Sequence, residues 1–170
     1  MEKEYKRIAP KDIKQDPFTL ISKTWFLLTA ATETGYNTMT CSWGALGHLW
    51  HKDICIVYVR PTRFTYEFMQ KADYFTLSFL PEKHRKILQY CGSHSGRNTD
   101  KIKDTGLNPI ETEKSIAFKE ADLIIEAQKM AHQIISPKSF DIPEEIEPLY
   151  PEKDYHMMYT GKITNIWQKK

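Results

Sequence analysis

The sequence predicts a mainly β protein with peripheral helices, arranged as an antiparallel barrel. Short runs rich in β-branched and aromatic residues recur along the chain, and turn residues separate them. Two segments with helical spacing lie between an early and a late group of strands, and no internal repeat is present. Strands joined by short turns, with few helices, are typical of an antiparallel barrel that carries its helices on the outside.

The length of the chain, 170 residues, is that of one domain large enough to bury a core. Residues 1–16 are predicted to form a charged N-terminal extension on the surface. Residues 137–153 are rich in Pro and Glu, and are predicted to form a surface excursion before the final strand. We therefore expect a single domain over residues 1–170.

The composition argues against several classes of protein. An apolar content of 41% with 12% aromatic residues indicates a folded chain, and a net charge of +2 gives no support for nucleic-acid or membrane-surface binding. No apolar run reaches membrane-spanning length, and the charged start Met1–Arg7 lacks the apolar stretch of a signal peptide. Three widely spaced cysteines form no CxxC or zinc pattern, so the sequence predicts a reducing, cytoplasmic location.

The most unusual predicted strand is the second arm of a hairpin. Thr24–Ala31 and Tyr36–Gly44 are predicted strands, joined through a turn at Glu33–Gly35. Alternation places small polar side chains on one face of the second strand and mixed ones on the other: Thr38, Thr40 and Ser42 against Asn37, Met39, Cys41 and Trp43. This arrangement suits a flat ligand with a polar rim. It equally suits an ordinary strand whose Thr side chains face solvent.

A pair of arginines follows the next strand. Ile54–Val59 is predicted to be a buried strand that ends at Pro61, and Thr62–Lys71 is predicted to be a helix with Thr62 as its N-cap. Free N–H groups at the start of this helix, beside Arg60 and Arg63, favour a phosphate-binding site. The alternative is that both arginines are solvated surface residues.

The middle of the chain is predicted to alternate strand, helix and loop. Tyr74–Leu80 is a predicted strand, Glu82–Tyr90 a helix, and Asp100–Thr105 a short helix closed by Gly106. Between the helices, Cys91–Asn98 is a Gly/Ser loop with a His and an Arg. Such a loop either cradles a phosphate or simply connects its neighbours, and taken alone it favours the connector.

The C-terminal third is predicted to be mainly strand. Ser115–Phe118 and Ala121–Ala127 are expected to pair, and Lys129–Ile135 is expected to continue the second of them past a bend. Gly161–Trp167 is the last predicted strand.

Common catalytic motifs do not occur in the sequence. Of the six histidines only His48 and His51 lie close together, with Asp53 as the one nearby ligand type, so no metal is predicted. There is no GxSxG elbow, no GxGxxG after a strand, and no Lys-Ser/Thr ending to the glycine loop. A nicotinamide, if one is used, is therefore not expected on a separate dinucleotide domain.

Four motifs in order resemble the flavin reductase-like family, and its flavoredoxin-type members most of all. They are Asn37-Thr38-Met39-Thr40-x-Ser42-Trp43-Gly44, Val57-Tyr58-Val59-Arg60-Pro61-x-Arg63-x-Thr65-Tyr66, Phe75-Thr76-Leu77-Ser78-Phe79, and Cys91-Gly92-Ser93-x-Ser95-Gly96-Arg97. The resemblance covers the chain from about Phe18 to the final strand. It implies an FMN-binding split β-barrel of the Greek-key type, usually found as a homodimer with the flavin near the interface.

The resemblance also implies a set of FMN-binding residues. It assigns the isoalloxazine to one strand, the phosphate to the Arg-rich turn, and further contacts to a second strand and the glycine loop: Asn37, Thr38, Met39, Thr40, Ser42 and Trp43; Arg60, Thr62, Arg63 and Thr65; Ser78 and Phe79; Ser93, Ser95 and Arg97. Many members carry Asp-His on the substrate side, where Tyr155 here separates Asp154 from His156. His156 is thus a candidate on that side, and no catalytic residue is assigned.

The absence of catalytic motifs is consistent with this chemistry. Hydride transfer from a nicotinamide to flavin requires that the two rings stack at a short distance, and it requires no acid or base from the protein. The resemblance therefore implies an NAD(P)H-dependent flavin reductase that binds FMN and passes electrons to free flavin or another acceptor. The alternatives are a flavoredoxin-like electron carrier that docks to a redox partner, and a binding module that uses the fold without flavin. Tyr36, Trp43 and Trp50 are candidates to cover the flavin across a homodimer interface.

Overall fold

The computed structural model describes residues 3–170, so the predicted N-terminal extension lies partly, at Met1 and Glu2, outside the described residues. The described residues form ten strands: β1 (Tyr5–Arg7), β2 (Phe26–Thr32), β3 (Gly35–Cys41), β4 (Gly44–Leu49), β5 (Lys52–Val59), β6 (Tyr74–Phe79), β7 (Pro109–Glu111), β8 (Ile116–Phe118), β9 (Leu123–Ile134) and β10 (Met157–Lys169). All the strand pairs are antiparallel.

The helices are short and lie between the strands. They are α1 (Pro17–Thr19), α2 (Phe64–Lys71), α3 (Arg85–Ser93), α4 (Lys101–Thr105) and α5 (Pro143–Ile146). A π-turn, Leu20–Thr24, continues α1, and single 3₁₀ turns cover Pro10–Asp12, Glu82–His84, Pro137–Ser139 and Glu147–Leu149. The predicted class, mainly β with peripheral helices, is confirmed.

The order of the strands explains why the sheet curls into a split barrel. The main sheet runs β3-β2-β6-β9-β10-β5-β4, with β1 also paired to β10, so β3 and β4 are its two edges. Only Ser42 and Trp43 separate these edges in the chain. Because the steps from Cys41 to Gly44 span at most about 10 Å, the two edges must lie close together. The sheet is therefore nearly closed, with a slit where the chain crosses from β3 to β4.

Two apolar clusters pack on the two faces of this sheet. The inner cluster fills the barrel with large side chains from alternate strand positions, among them Phe26, Leu28, Val57, Phe75, Leu77 and Ile125. The outer cluster lies beneath α3 and the β7–β8 hairpin, and includes Leu27, Leu80, Leu88, Phe118 and Ile124. Both faces of β2 and β6 are thus buried. This packing holds β2 in place, and β2 in turn pairs with β3 at one edge of the slit.

Three predictions about elements are wrong, each because a tertiary contact replaces a local one. Tyr36–Gly44 is not one strand, since the chain leaves β3 at Cys41 to start the opposite edge at Gly44. Thr62 is not the N-cap of α2: the N-cap is Arg63, while the Thr62 hydroxyl lies 3.4 Å from an Asp154 carboxylate oxygen. Residues 116–118 pair with β7 instead of with β9, which lies between β6 and β10.

The two surface segments expected from the sequence are only partly exposed. Tyr5 in β1 is 2% exposed, and its hydroxyl donates to the Ala121 carbonyl at 2.8 Å. The expectation that residues before Pro17 lie on the surface is therefore wrong at Tyr5. The excursion at 137–153 is largely exposed, but Tyr150 is buried within it. None of the helices within residues 3–170 has the length and hydropathy of a membrane span.

Candidate functional site

A cavity of about 360 Å³ lies at the slit between β3 and β4. Its walls come from the end of β3, the connector to β4, the end of β5, the turn before α2 and the residue before β10: Met39, Thr40, Cys41, Ser42, Trp43, Tyr58, Arg60, Thr62, Arg63 and His156. The volume falls in the range of about 300–1,000 Å³ that is typical of small-molecule sites.

An apolar hollow of about 570 Å³ adjoins this cavity and shares Ser42, Trp43 and Tyr58 with it. The rest of its lining comes from the N-terminal turn and β4, namely Pro17, Phe18, Ile21, Ser22, Gly44, Ala45 and Leu46. Phe18 is 85% exposed and Trp43 is 42% exposed. The cavity thus has a polar end at the arginines and opens beside a large apolar surface.

The two arginines of the cavity differ in their charge partners. Arg60 donates to the Asp154 carboxylate at 2.5 Å and to the Leu149 carbonyl at 2.8 Å. Arg63 donates to the Gly92 carbonyl at 2.5 Å, at the end of α3, and has no carboxylate partner among residues 3–170. Arg63 therefore retains its full charge for an anionic ligand, while much of the charge of Arg60 is balanced by Asp154.

The polar side chains of β3 are used inside the protein. Thr38 accepts from the Thr29 hydroxyl at 3.0 Å and donates to the Leu28 carbonyl at 3.2 Å. Thr40 donates to the Leu88 carbonyl at 2.5 Å, which ties the strand to α3. Because β3 is an edge strand, its outward backbone groups have no neighbouring strand. Backbone groups of the Met39–Trp43 segment are therefore the main polar contacts that this wall offers a ligand.

Lys101 links the β3 edge to α3 through two hydrogen bonds. The side chain is 6% exposed, and its ammonium donates to the Thr38 carbonyl at 2.8 Å and to the Cys91 carbonyl at 3.0 Å. Burial lowers the pKa of Lys101 to about 8, and the nearby Arg63 acts in the same direction. A lone lysine in a short helix carries no sequence signal, so reasoning from the sequence missed this contact between β3 and the end of α3.

His156 is a buried imidazole on the cavity wall. It is 8% exposed, its Nδ1 lies 2.9 Å from the Tyr150 hydroxyl, and its ring centroid is 5.0 Å from that of Trp43. Burial, with Arg60 as the next cause, lowers the pKa of His156 to about 4, although Asp154 opposes the shift. The imidazole is therefore neutral at neutral pH, and it is a poor general base.

The three thiols are buried and unpaired. Burial raises the pKa of Cys41 and of Cys55 to about 12, and that of Cys91 to about 11. Cys41 lines the cavity, but its thiol stays protonated at neutral pH and so lacks the thiolate character of a reactive cysteine.

The structure brings part of the predicted FMN set together at the cavity. The members that line it are Met39, Thr40, Ser42, Trp43, Arg60, Thr62 and Arg63. Two others lie just outside: the Asn37 amide donates to the Thr65 hydroxyl at 2.7 Å, and this buried bond fastens β3 to α2. Thr38, on the same strand, faces Thr29.

Ser78 and Phe79 do not reach the cavity. Both are buried within β6, where Phe79 packs against the ring of Phe26 at 5.2 Å between centroids. The Ser78 hydroxyl has no hydrogen-bond partner among the described residues. β6 lies inside the sheet, between β2 and β9, and neither residue lines the cavity.

The glycine loop lies beside α2 without lining the cavity. Ser93 donates to the Gln89 carbonyl at 2.9 Å, and Ser95 accepts from the Arg97 backbone N–H at 3.3 Å. Arg97 forms an ion pair with Glu67 and donates to the Thr62 carbonyl at 3.2 Å. The loop therefore supports the start of α2 from outside.

Reasoning from the sequence did not place Tyr58 or Tyr150 at the site, and it did not pair Asp154 with Arg60. Tyr58 alternates with the buried Val57 and Val59 on β5, so the strand period could have placed it on the cavity side. No local pattern connects Tyr150 or Asp154 to Arg60, because both lie far from it along the chain. Arg60 and Asp154 are 94 residues apart.

The comparisons with known proteins agree with this geometry. The family model described as "Flavin reductase like domain" matches residues 18–170. The chain belongs to the flavin reductase-like family, and the resemblance noted in the sequence is confirmed. Among curated proteins nothing matches.

Solved structures share the fold. An FMN-binding protein from Thermus thermophilus with bound p-hydroxybenzaldehyde is 20% identical, with a TM-score of 0.68 over 96% of this chain and 78% of that one. Flavoredoxin of Desulfovibrio vulgaris (Miyazaki F) is 21% identical, with a TM-score of 0.66 over 93% and 75%. Flavin reductase PheA2 is 12% identical, with a TM-score of 0.62 over 84% and 77%. The protein therefore has the split-barrel fold of FMN-binding, flavin reductase-like proteins.

Proposed function

We propose that the protein is an FMN-dependent oxidoreductase that takes hydride from NAD(P)H and passes electrons to free flavin or another acceptor. The observation that carries the proposal is the cavity at the slit. Its walls combine Arg63, which has no carboxylate partner among residues 3–170, with the open edge of β3 and the aromatic rings of Trp43 and Tyr58. A phosphate, a polar ring edge and an apolar ring face are the three parts of FMN that such walls would accommodate.

The chemistry of the cavity residues suits the parts of FMN that they would hold. Arg63, with Thr62 and the start of α2, would bind the phosphate. Backbone groups of Met39–Trp43 would line the ring system, and Trp43 and Tyr58 would exclude water from it. The flavin supplies the electron chemistry when bound. The adjoining apolar hollow offers room for a second reactant next to the cavity.

The structure also gives a reason to keep a flavoredoxin-like electron carrier as the second candidate. Phe18 and Trp43 expose large apolar side chains beside the cavity, and exposed apolar patches mark docking surfaces. One of the similar solved structures is itself a flavoredoxin. The buried free thiols agree with a reducing, cytoplasmic location, which we include in the proposal.

Anaerobic mixing with NADH or NADPH tests the proposed reaction. Purified protein loaded with FMN should lose its flavin absorbance when the nicotinamide is added, because hydride transfer reduces the isoalloxazine. Stopped-flow absorbance gives the rate, and free FMN without protein is the control. A protein that binds FMN but is not bleached by either nucleotide would favour the electron carrier, and a protein that binds no flavin would contradict both functions.

We also propose a homodimer that covers the apolar hollow. A two-fold pair is the commonest assembly, and Phe18 would be buried in it. Light scattering should therefore give about twice the chain mass of 20.0 kDa. Phe18→Ser should shift the protein toward the monomer, whereas Ile142→Ser, at an exposed apolar site on the excursion, should not. A monomer mass for the parent protein would contradict the assembly.

A further inference from the structure

A buried hydrogen bond joins Tyr150 to His156 on the cavity wall. Tyr150 belongs to the excursion and is buried, whereas most of that segment is exposed. Its hydroxyl lies 2.9 Å from Nδ1 of His156, and the two rings meet edge to face with centroids 5.5 Å apart. The excursion thus places one polar atom against the cavity histidine.

Both partners of this contact are held by other groups. Arg60 stacks over the Tyr150 ring at 4.9 Å and donates to the carbonyl of the preceding residue, Leu149, at 2.8 Å. The backbone of His156 is held by the Ile135 N–H, which donates to the His156 carbonyl at 2.9 Å. Arg60 therefore anchors the excursion to the cavity and fixes Tyr150 in hydrogen-bonding reach of the imidazole.

The hydrogen bond between Tyr150 and His156 determines which ring nitrogen of His156 carries the proton. Among the described residues, Nδ1 is the one hydrogen-bond partner of the Tyr150 hydroxyl, and Nε2 has no partner. If Nδ1 carried the proton, the buried Tyr150 O–H would have no acceptor, which is costly. If Tyr150 donates to Nδ1, its buried hydroxyl has an acceptor, and the imidazole proton sits on Nε2, where it is available to a ligand in the cavity that His156 lines.

The charges around the imidazole keep it neutral. Burial disfavours the charged imidazole most, and Arg60 and Arg63 disfavour a further positive charge at the cavity. Asp154 opposes them, but its carboxylate is already bonded to Arg60. The other rings that pack on the imidazole belong to Trp43 and Tyr58, and neither supplies a carboxylate that would favour the imidazolium. A neutral Nε2–H imidazole is a hydrogen-bond donor and not an acid.

We propose that Tyr150 is a positioning residue: it holds His156 as the neutral Nε2–H tautomer, so that His156 donates one hydrogen bond to a carbonyl or anionic oxygen of FMN in the cavity. This inference rests on the proposed function for the identity of the ligand, while the assignment of the tautomer depends only on the two side chains.

Tyr150→Phe tests the proposal, because it removes the hydroxyl and keeps the ring that stacks on Arg60. Long-range nitrogen–proton NMR correlation spectra of isotope-labelled protein report the tautomer, with His156→Gln identifying the signal. The parent should show a protonated Nε2, and Tyr150→Phe should show a mixture of tautomers. FMN affinity should fall about three- to tenfold in Tyr150→Phe, as expected for one neutral hydrogen bond.

Tyr155→Phe is the matched control, since its ring packs on Tyr150 with centroids 4.9 Å apart and its hydroxyl does not bond His156. It should keep both the tautomer and the affinity. His156→Gln, which retains an amide N–H donor, should bind FMN better than His156→Ala.

Three results would overturn the proposal: a protonated Nδ1 in the parent, an unchanged tautomer in Tyr150→Phe, or an equal loss of affinity in Tyr155→Phe. If the parent bound no FMN, the proposed function would fail, and the donor role of His156 with it. The free protein's tautomer would still decide whether Tyr150 positions the imidazole.

Discussion

Replacing Arg63 with alanine is expected to weaken FMN binding by roughly ten- to a hundredfold. Arg63 lines the cavity at the start of α2 and has no carboxylate partner among residues 3–170. A charge-assisted contact contributes about 1.5–3 kcal/mol, and each 1.4 kcal/mol is about tenfold in affinity. Fluorescence titration of the apoprotein with FMN measures the change directly, because flavin emission responds to binding.

Arg97→Ala is the informative comparison for this experiment. The family resemblance places Arg97 among the FMN residues, but the structure places it outside the cavity, paired with Glu67. Its loss should change FMN affinity by less than about threefold, in line with the small contribution of exposed ion pairs. Circular dichroism must show that both variants fold. An Arg63→Ala protein with the affinity of the parent would remove the phosphate assignment.

Replacing Gly161 with alanine is expected to lower the free energy of unfolding by about 3 kcal/mol, the upper part of the range for overpacking a core. Gly161 lies in β10 between β5 and β9. A Cβ there would lie 2.5 Å from the Phe75 ring and 2.9 Å from the Ala127 Cβ. The Ala127 methyl cannot rotate away, so the backbone or the ring must shift. Equilibrium urea unfolding measures the loss as a lower midpoint at unchanged slope.

Gly47→Ala is the matched control, because a Cβ at Gly47 on β4 meets no atom within 4 Å. The two variants add the same methyl group to a strand glycine, so their difference isolates the close packing. We expect Gly47→Ala to stay within about 0.5 kcal/mol of the parent, as surface substitutions usually do. Protein concentration is held equal, since any dimerisation adds to stability. Equal stability of the two variants would show that the barrel interior can relax around Gly161.

The elements that follow local rules could be predicted from the sequence. The β2–β3 hairpin, β5 and β6 are visible as β-branched and aromatic runs between turn residues. Gly106 closes α4 in the left-handed conformation, with φ of 70°, as its position after a short helix predicts. The Arg-rich turn after β5 also lies at the cavity, because a strand followed by a proline and a helix has few ways to place its arginines.

Pairings between distant residues could not be predicted in the same way. The sequence did not predict β4, because Gly44–Leu49 is rich in glycine and small residues and lacks a strand pattern. The segment is a strand because it pairs with β5. The partners of Arg60 are another case: Leu149 belongs to an excursion whose composition predicts only a surface segment, and Asp154 directly follows that excursion. Ser78 and Phe79 were expected at the flavin, but β6 lies inside the sheet, and their side chains are buried.

By itself, the sequence determined the fold class, the family and the segments that supply the cavity. These depend on strand period, turn chemistry and the order of motifs, which are all local along the chain. Only the tertiary structure decided which side chains of those segments remain available to a ligand. Thr38 and Thr40 are satisfied by neighbouring strands and helices, Arg60 is paired with Asp154, and Arg63 is left with its charge. Each outcome depends on where a distant partner lies in space, because a polar group bonds whichever partner packing brings within reach.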